Sequence, residues 1–441
     1  MTLKVSMDDS PKRSGAFAVL AIYSMIALSM WSPPPEMPLA AVVDLLRYGL
    51  FMAASVAIVV HTYARQGFRV SLAPDWLFLI GFLFYISLSV LWGAGSPDAI
   101  IKSMLIFSAL LVSISIANAQ GLDRTLRMYY KSMCVFVILS LLVVLLFPGI
   151  GIETGWELEG DWKGIAGQKN GLGHLAGMAL VAALALPIRR GPDGRLATAA
   201  LCSRAAMMAI IALCLINSSS RGALLLAGVG VASLLIARAP RLLQRMILVA
   251  LVLVAIPLLQ LGISTVELSA DQIGILGTKI DTNSRTILWS YGLEQLDGRE
   301  LLGFGVGSFW TPERITAFKD VNGWVLDNFH NGYITILIEG GAVGLSLLLI
   351  GIAFIMILFV VAIGNLKDPY LGLAFGFTNM FLVGNLVENT IGRSTSLNFI
   401  LFLVVSFALR PYVAGMLGSR FARNPGPGHA APWAVGPASA R

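Results

Sequence analysis

The chain is short of charge. Asp, Glu, Lys and Arg make up only 12% of its 441 residues, while 57% are hydrophobic and the mean hydropathy is +0.80. Soluble domains carry about 25% charged residues, so a water-soluble globular fold is excluded. Cysteine is scarce as well. Cys134, Cys202 and Cys214 fall in or beside apolar runs, with no pairing framework and no zinc-ligand spacing. No Asp-x-Asp occurs, and the short run Ser32 to Pro38 holds a single acid, Glu36, so a carboxylate-held Mg²⁺ or Mn²⁺ is not expected. A Walker-type phosphate loop is also missing, which removes ATP hydrolysis. Gly303-Phe304-Gly305-Val306-Gly307 is rich in glycine, but no strand–helix unit surrounds it, so dinucleotide binding is not indicated. No cofactor and no metal site is expected.

What the chain has in abundance is long apolar runs. A membrane span needs about 20 mostly apolar residues. Twelve candidates lie near 16–32, 39–61, 76–93, 99–118, 129–148, 170–188, 205–217, 222–237, 246–262, 341–363, 370–388 and 395–411. The expected fold is therefore an all-α integral membrane protein of about twelve transmembrane helices. Residues 1–15 form an N-terminal segment without a cleavage site, so the first span is retained.

The net charge of +7 is a topology signal rather than a nucleic-acid footprint. With the N-terminus placed in the cytoplasm, alternate loops collect most of the 31 basic residues, among them Arg124, Arg127 and Lys131, then Arg189, Arg190, Arg195 and Arg204, then Arg238, Arg241 and Arg245. Both termini are then cytoplasmic. The opposite loops carry acids such as Glu153, Glu157, Glu159 and Asp161.

Two outer segments are too long for turns: Pro148 to Lys169, and the large loop 263–329 between helices 9 and 10. The second contains Trp289, Tyr291, Phe304, Phe309, Trp310, Phe318 and Trp324. Asn283-Ser284 before Arg285-Thr-Ile-Leu-Trp289 reads as a capped helix on the membrane surface. His330 to Ile363 is too long for one span, and Glu339-Gly340-Gly341 is the natural break, which leaves an outer helix ahead of the span proper. The tail 412–441, rich in Pro, Gly, Ala and Arg, reads as disordered.

Few groups at the outer face could do chemistry. Of four histidines, His174 and His330 lie there. His330 has the richer polar context, with Asp327, Asn328 and Asn331, and a neutral imidazole serves as a general base near pH 7. The plain alternative is a loop histidine packed against headgroups. Arg221 closes Asn217-Ser218-Ser219-Ser220-Arg221-Gly222 between two apolar spans, against the positive-inside bias. Its guanidinium can grip phosphate in a bidentate fork or simply snorkel to lipid phosphates. Arg285 has the same chemistry on the loop helix. Lys169, in Gln168-Lys169-Asn170-Gly171, caps the sixth span or anchors it at the interface.

These residues resemble a known family. His330-Asn331-x9-Gly341-x2-Gly344 resembles the signature of the O-antigen ligase and Wzy-type polysaccharide polymerase superfamily. Ser220-Arg221-Gly222 looks like its arginine-bearing outer turn. Arg285 and Trp289, followed by Leu302-Gly303-Phe304-Gly305-Val306-Gly307, look like the start of its large periplasmic loop. Gly167-Gln168-Lys169-Asn170-Gly171 resembles the Lys-Asn element of the exopolysaccharide polymerase branch, with Gln168 where that branch often has histidine.

The resemblance implies a metal-independent, inverting glycosyltransferase of the GT-C type in the bacterial inner membrane, facing the periplasm. The donor is a glycan on undecaprenyl pyrophosphate. Carried over, His330 acts on the acceptor hydroxyl, and Arg221 and Arg285 hold the pyrophosphate. Lys169, Asn170 and Asn331 are further candidate substrate contacts. Implied partners are the lipid-linked glycan, an acceptor glycan or lipid A core, membrane lipids and a chain-length regulator protein, with no nucleic acid. The Gln168-Lys169-Asn170 element tilts the reading toward a polymerase of exopolysaccharide repeat units. The alternatives are an O-antigen ligase acting on lipid A core and, in another class, a transporter or flippase of lipid-linked sugars. Asp44 and Arg47, which a transporter could use, sit three apart on one helix face and can pair with each other.

Overall fold

The computed structural model describes residues 16–31, 39–66, 74–154, 160–188, 198–241, 244, 283–324, 328–391, 393 and 395–423. The ninth expected span (246–262), the first part of the large loop (263–282), Asp327 and the terminal segments 1–15 and 424–441 lie outside the described residues.

Helices make up nearly all of the described chain. They are α1 (Ala16–Met30), α2 (Ala40–Gln66), α3 (Pro74–Leu88), α4 (Pro97–Leu146), α5 (Pro148–Gly151), α6 (Lys169–Ala185), α7 (Thr198–Asn217), α8 (Arg221–Arg238), α9 (Asn283–Glu294), α10 (Pro312–Asn322), α11 (Gly332–Asn365), α12 (Pro369–Gly384) and α13 (Leu397–Arg423). No β-strand occurs among the described residues; a single antiparallel bridge joins Ile152 to Trp162. Among the described residues, six helices are long and apolar enough to cross a membrane, and Val19–Met30, Trp76–Leu91 and Pro369–Gly384 are shorter apolar helices. The protein is an all-α integral membrane protein. Leucines such as Leu20, Leu46, Leu50 and Leu142 stand exposed on its outside, as lipid contact demands.

The bundle is built from pairs that meet closely in space: α8 with α12, α3 with α11, α13 with α4, and α6 with α7 and α8. Arg47 donates to Asp44 at 2.8 Å and to the backbone carbonyls of Leu28 and Trp31, so this charged pair within α2 is satisfied by the fold.

Two helices are too long for a bilayer core of about 30 Å, and each breaks at a glycine. The 50-residue α4 breaks at Gly121 (φ 68°), between the spans expected at 99–118 and 129–148. The 34-residue α11 breaks at Gly341 (φ 61°, ψ −169°). Only glycine takes this conformation readily, and a Cβ there would lie 2.2 Å from the Leu301 carbonyl oxygen. Gly341→Ala is therefore expected to lower the melting temperature sharply, through about 1–3 kcal/mol of backbone strain plus the displaced loop. A thermal melt unchanged from wild type would contradict this.

The close approach at Gly341 explains the glycine-rich run Gly303 to Gly307. Phe304 and Gly305 donate their amides to the carbonyls of Ile338 and Glu339, at 2.9 and 2.8 Å. Ala342 and Val343 donate back to Glu300 and Leu301. The buried Glu339 carboxylate accepts from the Gly307 amide at 2.9 Å and faces Lys102 at 3.4 Å. The run is a backbone seam laid across the break in α11.

The large-loop aromatics form a small separate core: Phe304, Phe309, Phe318 and Phe329 are buried and pack with Tyr291, Trp310 and Trp324. Helix α9 adds Leu288 and Trp289 to that core. The C-terminal span does not end near 411: α13 runs through Pro411 to Arg423. Proline inside a helix costs about 3 kcal/mol, but Val413 is buried and the Tyr412 hydroxyl donates to Asp368 at 3.1 Å, which fixes the turn beyond it.

Candidate active site

The site is assembled at the loop end of the bundle, where α6, α8, α11 and α13 begin and α7 and α12 finish. Asn331 caps α11: its side-chain oxygen accepts from the amides of Tyr333 and Ile334, and its side-chain nitrogen donates to the Leu386 carbonyl at 3.3 Å. Gly332 donates to the Asn385 carbonyl at 2.8 Å, and the Tyr333 hydroxyl to Leu382 at 2.9 Å. On the other side, Trp289 Nε1 donates to the Phe329 carbonyl at 2.8 Å. His330 is thus clamped between the loop core and the connection from α12 to α13. Asn331, read from sequence as a candidate substrate contact, has both ends of its amide engaged in this clamp.

The clamp forces His330 into an uncommon backbone state. Its φ is 47°, in the left-handed region, and the Asn328 side chain holds its amide at 2.9 Å. Such strain costs about 1–3 kcal/mol and gathers at functional positions. Among the described residues, the other non-glycine residues with this conformation are Leu39 and Ser219, and Ser219 lies two residues before Arg221.

The ring of His330 has two distinct sides. Nδ1 is buried and lies 3.9 Å from Glu388 Oε2, a charge contact beyond hydrogen-bond length. The side chain as a whole is 27% exposed, which leaves Nε2 as the nitrogen a substrate can reach. Burial alone would raise the Glu388 carboxyl. Contact with His330 and the positive fields of His174, His330 and Arg393 outweigh it, and the pKa falls below its ordinary value. Glu388, His174 and Arg393 therefore form a polar group behind His330, and His174 Nε2 is 3.8 Å from where a Cβ on Gly222 would stand. His174 therefore lies beside Gly222, the residue after Arg221.

Arg221 is the first residue of α8, with Ser220 as its cap. It is exposed and has no partner among the described residues. The helix terminus there favours an anion, so an unpaired cation at this spot is unfavourable until an anion arrives. Arg285 sits on α9 one turn before Trp289, on the same face. It is half-buried and also unpaired among the described residues.

The Lys-Asn element supports the turn from below. The Lys169 ammonium pairs with Asp161 at 2.6 Å, and its amide donates to Glu153. Hydrogen bonds from Lys169 and then Ser219 hold the Asp161 carboxyl below its ordinary range. Asn170 accepts from the Ser220 hydroxyl at 2.9 Å. The Trp162 amide donates to the Asn217 carbonyl at 2.8 Å, so the link between α5 and α6 is pinned to the same turn. Lys169 and Asn170 are thus engaged with the protein itself.

With this geometry established, comparison with known families is direct. Residues 206–349 match the Wzy_C family model, described as O-antigen ligase. This stretch, about a third of the chain, is similar to O-antigen ligases. No curated protein matches the chain. The Wzy_C segment holds Arg221, Arg285, His330, Gly341 and Gly344 and stops inside α11. Lys169, Asn170, His174, Glu388 and Arg393 lie outside it, yet the fold brings Glu388 and His174 to the Wzy_C histidine and arginine. The match agrees, over residues 206–349, with the superfamily read from the motifs.

Glu388 was invisible to motif reading. The signal that could have found it is the polar run Asn385 to Arg393, with an acid and a cation in a short link between two apolar helices. Replacing Glu388 with Gln is expected to lower kcat about 10–100-fold with KM unchanged, as partners that orient a functional histidine do. Its carboxylate is stabilised in the fold, so its contribution is present above about pH 4.5 and is lost as pH falls through the lower folded value. The difference in melting temperature between wild type and Glu388→Gln should therefore vanish at the acid end. A constant difference would refute the ionic role.

Proposed function

We propose that the protein transfers a glycan from undecaprenyl pyrophosphate to a sugar hydroxyl at the periplasmic face of the inner membrane, polymerising exopolysaccharide repeat units. The observation that carries this reading is His330, strained in its backbone and backed by Glu388, while Arg221 and Arg285, on separate elements, have no partner among the described residues.

In the proposed step, His330 Nε2 accepts the proton of the acceptor hydroxyl. The hydroxyl oxygen forms a bond to the anomeric carbon from the face opposite the leaving group, so the configuration inverts. The bond from that carbon to the diphosphate oxygen breaks, and its electron pair leaves with the lipid diphosphate. Arg221 and Arg285 take up the charge that develops there, a role that in such sites supplies the largest share of the barrier reduction. Glu388 stabilises the imidazolium formed on His330. The diphosphate is an activated leaving group, so the scheme calls for no nucleotide and no metal. Asn170 and Lys169 act through the turn, by holding Ser220 and Asp161.

The matched family's description favours a second reading, in which the acceptor is lipid A core and the polymer is already made. Mass spectrometry of undecaprenyl-linked glycans after deletion of the gene separates the two. Single repeat units should accumulate on the carrier. Long polymer stranded on the carrier would make the protein a ligase, and an unchanged pool would refute both readings.

A further inference from the structure

At the end of the bundle away from His330, the structure holds an open cavity of about 820 Å³ whose charged lining is entirely basic among the described residues. The first limb of α4 starts beside the Gly303–Gly307 seam and runs to Gly121, about 36 Å at 1.5 Å per residue. Immediately beyond that break, Arg124, Arg127 and Lys131 follow one another along a single face of the second limb. Arg204 of α7 faces them, bonded to the Leu186 carbonyl at 3.1 Å and lying 5.4 Å over the Tyr130 ring. Tyr370 of α12 closes the wall and accepts from Arg127.

Among the described residues, no acidic side chain lines this space. Asp123, next to it on α4, is already paired with Arg127. Arg124 and Lys131 are exposed and have no partner among the described residues. Several cations gathered around one space repel one another, and an anion of several oxygens relieves this best. The cavity also borders lipid-facing surface. Leu20, beside Val19 of the wall, is 66% exposed, and Leu201, beside Ala200, is 41% exposed. A headgroup in the cavity would leave acyl chains lying on apolar helix faces.

We propose that this cavity binds a phosphate-bearing anion, held by Arg124 and Lys131 and framed by Arg127 and Arg204, and that a membrane phospholipid supplies it. The proposal is independent of the reaction assigned to His330. Basic residues at membrane-facing sites each contribute about a fivefold gain in affinity for anionic headgroups.

The full-length protein in detergent micelles can be titrated with phosphatidylglycerol, phosphatidylcholine and inorganic pyrophosphate, with native mass spectrometry and thermal melting as readouts. Phosphatidylglycerol should remain bound through desolvation and raise the melting temperature; phosphatidylcholine should do so far less. Arg124→Gln with Lys131→Gln should weaken phosphatidylglycerol about 25-fold, at about fivefold per cation. Arg124→Lys with Lys131→Arg should keep binding and so serves as the fold control. Pyrophosphate that displaces the lipid would uphold the site but name a soluble phosphate as its ligand; failure to displace it would uphold the lipid. Equal phosphatidylglycerol binding by wild type and the Gln pair, or no anion binding by wild type, would overturn the proposal.

Discussion

His330→Ala should reduce glycan transfer at least 10²–10⁴-fold, the usual range for a positioned general base. The loss should appear in kcat, because the imidazole acts on a proton that moves only in the reaction. A misfolded variant would give the same loss, and the backbone at His330 supplies the control. Its φ of 47° suits asparagine far better than alanine. His330→Asn should therefore insert and melt at least as well as His330→Ala and still fail to transfer glycan. If His330→Asn makes normal product, the imidazole is not the base. A transporter of lipid-linked sugars would tolerate both substitutions, so the pair also tests that class.

Arg221→Ala should cost about 10²–10³-fold, the effect of removing one preorganised group that meets developing charge. Arg221 is exposed and unpaired among the described residues, so its removal opens no cavity and breaks no bond in the fold. Its loss should even relieve the cation placed against the start of α8. The melting temperature should stay level or rise slightly while activity falls. Arg221→Lys keeps the charge but not the planar fork, and should recover only part of the rate. A variant without Arg221 that turns over normally would remove the guanidinium from the reaction. One that loses activity together with stability would assign it to the turn instead.

The parts of the architecture that depend on local pattern were legible in the sequence. Hydropathy located both limbs of α4, and Glu339-Gly340-Gly341 located the break in α11, because a bilayer fixes the length of a span and glycine takes the only cheap bend. The internal pair of Asp44 and Arg47 followed from helix spacing alone. Contacts distant in the chain were not legible. Glu388 meets His330 only because Asn385 and Leu386 bind the cap of α11, and nothing in the run from Asn385 to Arg393 announces that partner. His174 shared the outer face in the sequence but gained its meaning from Gly222 and Glu388 in space. The large-loop aromatics illustrate the same limit. A ring that anchors at an interface and a ring that fills a small core look alike until its neighbours are known, and here Phe309 touches Phe304, Trp310 and Phe329. Likewise the sequence offered Lys169 as a cap, an interface anchor or a substrate contact, and the fold pairs it with Asp161.

The break at Gly341 also separates two mechanical worlds. Membranes differ in thickness, and a spanning helix answers by tilting, at a cost of fractions of a kcal/mol per Å. In α11 that motion belongs to the limb beyond Gly341. The limb that carries His330 is stitched to the Gly303–Gly307 seam and to the link after α12. Changes in lipid composition can therefore rock the span while the limb that carries His330 keeps its place against the seam. The same bend that ends one helix and starts the next works as a universal joint between bilayer and chemistry.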